Sequence, residues 1–160
     1  GGKALVATKG GRMIARLAAL PQAWLLPFVL AGLAVGRLLP VGPFPVLRGA
    51  GLFLVILGLA LMLWAARTMR AARTTVMPGR APDHLVTAGP FALSRNPIYL
   101  GDVIVLAGLM LAVDATPGLV VVPGFAWLLE HRFIRREEAV IAARFGPAYE
   151  DYRSRVRRWI

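Results

Sequence analysis

Two adjacent carboxylates, Glu137 and Glu138, are the first candidates for chemistry in this sequence of 160 residues, which has 8 acidic and 19 basic side chains. Neighbouring residues of a helix point about 100° apart, so the two cannot serve one role equally. A carboxylate facing a cleft would accept hydrogen bonds from ligand hydroxyl or amino groups, or face a cationic centre. In the alternative interpretation both lie on a solvated helix face, paired with Arg135, Arg136 and Arg144.

A second group of candidates surrounds a predicted helix start. Asn96 is a good N-cap residue, and Pro97 suits the first helical position. These two features alone predict only a helix. Gly101 would also allow another backbone or a flat ligand to approach closely, and the free amide groups at a helix start could bind a carboxylate.

Asp102 is a third candidate because it lies one turn into an apolar segment. Ionisable groups within a membrane span are costly, and by default they indicate function. The alternative is an interfacial carboxylate that pairs with Arg95 or Arg132.

Other chemistries find little support. The chain has no Cys, which excludes a disulfide framework, a thiolate-ligated metal and a thiol nucleophile. His84 and His131 have no ligands at metal-binding spacing, so no metal site is expected. The sequence has no phosphate-binding glycine motif or nucleophile elbow.

The elements that must position these residues are membrane helices. Hydrophobic residues make up 58% of the chain and charged residues 17%, compared with about 45–50% and about 25% in soluble domains. Such long uncharged stretches argue against a nucleic-acid-binding protein. They predict transmembrane spans of about 20 residues or somewhat fewer, at 17–36, 49–66, 97–113 and 117–130.

The basic residues predict the topology. With four spans, 17 of the 19 Lys and Arg lie on one side, and only 2 lie on the other. With three spans, the eight C-terminal Arg would lie outside. The positive-inside rule therefore predicts four crossings with both termini cytoplasmic. The predicted fold is a single all-α domain over 1–160, an integral membrane bundle with a cytoplasmic connector at 67–96 that folds back against the helix ends, and cytoplasmic helices at 131–160.

The C-terminal region predicts two further helices. The first covers 130–146 and ends at Gly146-Pro147. The second runs from Ala148 to about Trp159. Its apolar and amphipathic side chains share one face with arginines beside it, which is typical of an interfacial helix whose arginines contact anionic lipid head groups.

Taken together, these motifs resemble one family. The segment LVTAGPFALSRNPIYLG at 85–101 precedes a helical hairpin, then the Glu137-Glu138 pair, FGPAYEDY at 145–152 and VRR at 156–158. Their order is similar to that in the isoprenylcysteine carboxyl methyltransferase and phospholipid methyltransferase family of integral membrane enzymes. The resemblance covers roughly residues 50–160.

The resemblance implies S-adenosylmethionine as cofactor and methyl transfer to a lipophilic carboxylate, amine or thiol at the cytoplasmic interface. The cofactor-binding residues that it implies are Arg95, Asn96, Pro97, Tyr99, Leu100, Gly101, Glu137 and Glu138. Asn96 stands where the family often has His, and an amide cannot act as a base near neutral pH. Arg153 and Arg157 are candidates for binding an acceptor carboxylate or phosphate, and contact with lipid head groups is the alternative.

Two other functions remain open on sequence grounds. One is a nicotinamide-dependent membrane reductase of the sterol-reductase type, for which the chain is short. The other is a non-enzymatic lipid-binding scaffold with the same fold. In every case the expected partners are membrane lipids and a lipophilic small molecule, not nucleic acid.

Overall fold

The computed structural model describes residues 20–74 and 82–160, and every regular element within these ranges is helical. The predicted start of the first span at 17–19 and the basic residues of 1–16 lie outside the described residues. The described residues form six α-helices: α1 Leu25–Leu38, α2 Pro45–Ala71, α3 Pro97–Ala112, α4 Val121–Leu129, α5 Arg135–Phe145 and α6 Pro147–Arg155. Short 3₁₀ turns at Pro21–Trp24, Gly89–Ala92 and Thr116–Val120 precede α1, α3 and α4, and a π-helical turn at Glu130–Ile134 joins α4 to α5.

In the part of the chain that the structure describes, two helical segments are long and apolar enough to cross a membrane, Pro21–Leu38 and Pro45–Ala71. Their outward faces expose large apolar side chains: Phe53 is 64% exposed and Ile56 67%. Exposed apolar surface on this scale fits contact with lipid. The apolar helix α3 is shorter, and its 16 residues reach about 24 Å.

Helix α3 lies at the centre of the bundle, and its contact with α2 depends on glycines. A Cβ on Gly51 would lie 2.6 Å from the carbonyl oxygen of Gly108, and one on Gly58 would lie 2.8 Å from that of Gly101. The same pairs meet from the other side, because a Cβ on Gly108 would lie 2.7 Å from the Gly51 oxygen. The two antiparallel backbones therefore touch, as small residues permit in membrane helices.

The opposite side of α3 packs against α1 and α4. Leu106 and Met110 of α3 are fully buried with Phe125 of α4, and the ring of Phe28 lies 5.1 Å from that of Phe125. Dense apolar packing of this kind holds α3 in a fixed orientation. The residues at its start therefore have a fixed position relative to the C-terminal helices.

Polar contacts distinguish the two ends of the bundle. At one end Arg48, near the start of α2, pairs with Asp114 in the turn after α3. At the other end the connector before α3 meets the C-terminal region, since the Tyr152 hydroxyl donates to the Phe91 carbonyl at 2.6 Å. The described part of the connector that contains Phe91 thus lies against the C-terminal helices.

Several boundaries differ from the sequence-based expectations, and two of these differences are large. Helix α2 continues to Ala71, well past the predicted end at 66, because α-helical hydrogen bonding persists through the basic residues that follow the apolar stretch. Helix α6 ends at Arg155, and Val156 is extended, so the prediction of a helix to about Trp159 is wrong. Tyr149 and Tyr152 are 2% and 4% exposed, and they pack against protein where an interfacial helix would present them to lipid.

Candidate functional site

The candidate site lies where the start of α3, helix α5 and the chain after α6 meet. The guanidinium of Arg95 donates to Glu138 Oε1 from Nε at 3.2 Å and from Nη2 at 3.0 Å. Arg158 donates to Glu138 Oε2 from Nε at 3.1 Å and from Nη2 at 2.7 Å. One carboxylate therefore binds two guanidinium groups, each through paired hydrogen bonds of the strong, charge-assisted kind.

The ion pair between Arg95 and Glu138 is largely removed from water, with side-chain exposures of 9% and 12%. Burial by itself would raise the pKa of Glu138, but hydrogen bonds from Arg158 and the charges of Arg95 and Arg158 outweigh it and lower that pKa. Glu138 is therefore a carboxylate near neutral pH. Removing either arginine would leave buried charge with fewer partners, which is costly.

Asn96 stands at the N-cap of α3, as predicted, but its side chain makes no capping hydrogen bond. Its Nδ2 group donates to the main-chain oxygen of Arg158 at 3.1 Å and lies 3.5 Å from Glu138 Oε1. The backbone amide of Asn96 donates to Ser94 Oγ at 3.1 Å. The Asn96 amide thus connects the start of α3 to the C-terminal residues.

Glu137 faces a different neighbour from Glu138. The Tyr99 hydroxyl donates to Glu137 Oε1 at 2.7 Å, and the Tyr99 ring stacks on Phe133 with 6.4 Å between centroids. Burial raises the pKa of Glu137, and the Tyr99 hydrogen bond opposes that rise only in part. Within residues 20–74 and 82–160, Glu137 forms no ion pair, so its carboxyl retains capacity to accept hydrogen bonds or face a cation.

Asp102 lies one turn further along α3 and is 1% exposed. It forms a side-chain hydrogen bond with Gln22, and its Oδ2 atom has no partner among the described residues. The alternative ion pairs with Arg95 or Arg132 are not formed, because Arg95 binds Glu138 and the Arg132 guanidinium lies 5.3 Å from the centre of the Trp24 ring.

A cleft with about 450 Å³ of open space adjoins this site. Its polar end is formed by Arg95, Asn96 and Glu138. The hydroxyl of Tyr149, which also lines the cleft, is buried without a hydrogen-bond partner in the described part of the chain. The remaining walls are mostly apolar and consist of Met69, Thr74, Pro82, His84, Leu85, Val86, Phe91, Ile141 and Tyr152.

Three other predicted cofactor-binding residues pack within the first turns of α3. Pro97 is buried in the first turn of α3, and Leu100 is half-buried on the same helix. Gly101 faces α2, where a Cβ would lie 2.3 Å from Met62 Cγ. Their contact with a cofactor stays a prediction, but their packing sets where Asn96 and Tyr99 lie.

The candidate acceptor-binding residues, Arg153 and Arg157, have exposed side chains. The Arg153 guanidinium approaches Glu150 at 3.5 Å in an exposed ion pair. The main-chain oxygens of both residues accept hydrogen bonds from Arg95. Arg153 O accepts from Arg95 Nη1 at 3.3 Å, and Arg157 O accepts from the Arg95 amide at 3.0 Å. Side-chain contact with an acceptor remains a prediction.

The sequence analysis did not single out Arg158 and Glu130 as members of this network. Arg158 Nη1 donates to Glu130 Oε1 at 2.7 Å, and Trp159 Nε1 donates to Glu130 Oε2 at 3.2 Å. The only available signal was the scarcity of acids beside an Arg-rich C-terminus. The contacts span 28 and 29 residues of sequence, and no local pattern specifies them.

The described residues form a helical bundle with two helices long and apolar enough to cross a membrane and a polar, partly enclosed site at one end. The family model described as phospholipid methyltransferase matches residues 47–148, and the chain belongs to that family of membrane methyltransferases. Membership supports an enzymatic role in methyl transfer to a lipid substrate. No curated protein and no solved structure is significantly similar to the chain.

Proposed function

We propose that the protein transfers a methyl group from S-adenosylmethionine to a lipophilic acceptor at the cytoplasmic face of the membrane. The observation that carries this proposal is the convergence of two distant segments on one cleft. Arg95 and Asn96, before α3, meet Glu138 of α5 at its polar end. Tyr99 and Glu137 form a second pair beside them.

The chemistry of this site fits S-adenosylmethionine. The mostly apolar walls of the cleft suit a purine ring, and the unpartnered Tyr149 hydroxyl is available to a polar group of the cofactor. Glu137 retains acceptor capacity and forms no ion pair within the described ranges, which suits a cationic group. Arg95 and Asn96 shape the polar end of the cleft, since their donors bind Glu138 and main-chain oxygens of the C-terminal residues. Leu100 and Gly101 shape the helix behind them.

The bound cofactor supplies a methyl group on a positively charged sulfur. Transfer of that group needs little from the protein beyond proximity and orientation. The role of the chain is therefore to bind, to orient and to exclude water. Glu138 holds the two guanidinium groups that shape the polar end, and the Tyr99 hydroxyl orients the half-buried Glu137 carboxyl beside them.

The acceptor is proposed to be a lipophilic carboxylate, amine or thiol that enters from the bilayer. The site adjoins the ends of helices whose apolar faces are exposed, so a lipid could reach it with its chain still in the membrane. Arg153 and Arg157 are exposed on the same side and would bind an acidic head group.

We further propose that residues 1–160 form one domain with four crossings and both termini in the cytoplasm. The Arg48–Asp114 pair supports this topology, because it brings the loop after α1 and the turn after α3 to the same end of the bundle. The shorter crossings, α3 and the Thr116–Leu129 segment, would thin the bilayer locally.

Calorimetric titration of the detergent-solubilised protein with S-adenosylhomocysteine tests the proposal. We expect saturable binding by the wild type, weakened at least about tenfold by Glu137→Gln, which removes a charged acceptor. Arg136→Gln is the control, since it changes an exposed side chain of the same helix. Binding of reduced nicotinamide phosphate with no binding of the homocysteine compound would instead identify a reductase, and binding of neither would favour a scaffold.

A further inference from the structure

The chain after α6 does not leave the bundle but crosses the start of α3. We call residues 156–159 the C-terminal strap. Its main-chain oxygens accept hydrogen bonds from three groups of the preceding connector: the Arg95 amide donates to Arg157 O at 3.0 Å, Arg95 Nη1 to Val156 O at 3.3 Å, and Ser94 Oγ to Arg158 O at 3.3 Å. Asn96 Nδ2 adds a fourth bond, to Arg158 O at 3.1 Å.

Arg158 is the residue of the strap whose side chain binds two acids, Glu138 and Glu130. Its guanidinium donates to Glu138 through Nε and Nη2 and to Glu130 through Nη1, the last at 2.7 Å. Trp159 secures the same carboxylate, Glu130, through Nε1. The π-helical turn begins at Glu130, and such turns are frequent at functional sites.

We propose that Arg158 is a positioning residue for the cofactor site, and that the C-terminal strap must be docked for the polar end of the cleft to form. This inference rests on the proposed function. Arg158 does not line the cleft; it acts through Glu138, which does. Arg158 binds Glu138 Oε2 through Nε and Nη2, and its Nε also donates at 3.2 Å to Oε1, the oxygen that accepts from Arg95. The carboxylate therefore lies between the two guanidinium groups, and both keep fixed orientations.

Removing the Arg158 side chain would affect both the Glu138 carboxylate and the C-terminal strap. Glu138 would keep only Arg95 as a cationic partner, and the strap would lose its side-chain attachment to α5. The strap would then be held by the four hydrogen bonds to its main-chain oxygens and by the Trp159–Glu130 bond, and the small net contribution of such bonds must offset the entropy of ordering the strap. We expect the strap to open part of the time and the side chains of Arg95 and Asn96 to lose their fixed positions.

The test compares Arg158→Gln and Arg158→Lys with the exposed control Arg136→Gln in the full-length protein. The first measurement is hydrogen exchange of the Arg95 amide, which reports docking of the strap without any ligand. We expect exchange to accelerate about tenfold or more in Arg158→Gln, less in Arg158→Lys because a lysine keeps the charge but not the forked geometry, and not at all in the control.

The second measurement is the affinity for S-adenosylhomocysteine as a function of pH. The groups facing Glu138 are Arg95 from the connector, Arg158 from the strap, Asn96 from the start of α3, and Tyr149 and Tyr152 from α6. Without Arg158 the pKa of Glu138 rises, so we expect affinity to fall at least about tenfold and its acid-side loss to begin at higher pH. A merely structural role would lower affinity equally at every pH.

The two measurements separate this inference from the proposed function. Faster exchange in Arg158→Gln together with the shifted pH profile supports the positioning role. Unchanged exchange of the Arg95 amide overturns it, whether or not the protein binds the cofactor analogue. Faster exchange with unchanged affinity also overturns it, because the strap would then be dispensable for the site. Wild-type protein that binds no analogue contradicts the proposed function instead.

Discussion

At the scale of single residues, the two adjacent glutamates have opposite environments. Glu138 accepts hydrogen bonds from two guanidinium groups and has little acceptor capacity left. Glu137 accepts one from Tyr99 and lies in a site without a cation among the described residues. The helix geometry that separates neighbours by about 100° produces this division, because the two side chains reach different sides of α5.

This difference predicts that Glu137 lowers the stability of the folded protein while it strengthens binding of the cofactor. Its pKa is raised by burial, so the folded state favours the protonated form and loses stability as pH rises from the ordinary carboxyl range through that raised pKa. Glutamine cannot ionise. We expect Glu137→Gln to melt at a higher temperature than the wild type above this pH window, and at a similar temperature below it, while binding the cofactor analogue more weakly. Parallel melting profiles at all pH values would contradict this.

Two buried tyrosines of α6 provide a matched pair. The Tyr152 hydroxyl donates to the Phe91 carbonyl at 2.6 Å, whereas the Tyr149 hydroxyl has no partner in the described ranges. We expect Tyr152→Phe to destabilise the protein by about 1 kcal/mol or more, since it leaves a carbonyl without its donor. Tyr149→Phe should be neutral or slightly stabilising, yet weaken binding of S-adenosylhomocysteine. Chemical denaturation and calorimetry measure both effects, and equal destabilisation by the two changes would refute the assignment.

At the scale of elements, the contact between α2 and α3 is set by small residues seven positions apart. Gly51 and Gly58 lie two turns apart on α2, and they face Gly108 and Gly101, which are two turns apart on α3. This close approach fixes the depth of α3 and hence the position of Asn96 at its start.

The role of these glycines can be tested with two identical substitutions on one helix. A Cβ on Gly51 would lie 2.4 Å from the Ala112 amide nitrogen, whereas one on Gly49 meets nothing within 4 Å. We expect Gly51→Ala to destabilise the protein by about 1–3 kcal/mol through overpacking. Gly49→Ala should stabilise it by up to about 1 kcal/mol, because alanine favours the helix. Unfolding in a mixed-micelle titration measures both, and equal effects would show that the helices do not touch here.

The elements also show what a sequence can and cannot specify. The start of α3 at Pro97 was predictable because proline and an N-cap residue mark it locally. The end of α2 was not, since hydropathy falls at Arg67 while helical hydrogen bonding continues to Ala71. The extended strap was unpredictable for another reason: its contacts with Glu130 and Glu138 are distant in sequence, and the local pattern around Trp159 favours a helix.

At the scale of the whole molecule, the surplus of positive charge has two roles, one in membrane topology and one in the site. Much of it fits a topological signal, with 17 basic residues predicted on one side and 2 on the other. Part of it is structural, because Arg95 and Arg158 neutralise acids inside the site. Composition alone could not separate these uses, since both consist of arginines close to the predicted membrane surface.

The absence of cysteine makes the topology directly testable by labelling introduced thiols. Val113, in the turn after α3, is 52% exposed, and Leu39, after α1, is 60% exposed. Ala115 is unsuitable, because at 6% exposure a reagent cannot reach it. Ser154 is exposed on α6 at the opposite end, and its replacement by cysteine is nearly isosteric.

With four crossings, Val113→Cys and Leu39→Cys should react with a membrane-impermeant maleimide added to intact cells. Ser154→Cys should react only after the membrane is opened. The physical reason is that alternate loops of a serial bundle lie on opposite sides, with the arginine-rich end retained in the cytoplasm. If Val113→Cys and Ser154→Cys were both labelled only after the membrane is opened, neither α3 nor the Thr116–Leu129 segment would cross, and the site would lie on a bundle with only the two long spans. A lipophilic acceptor would then have to reach the cleft along α1 and α2 alone.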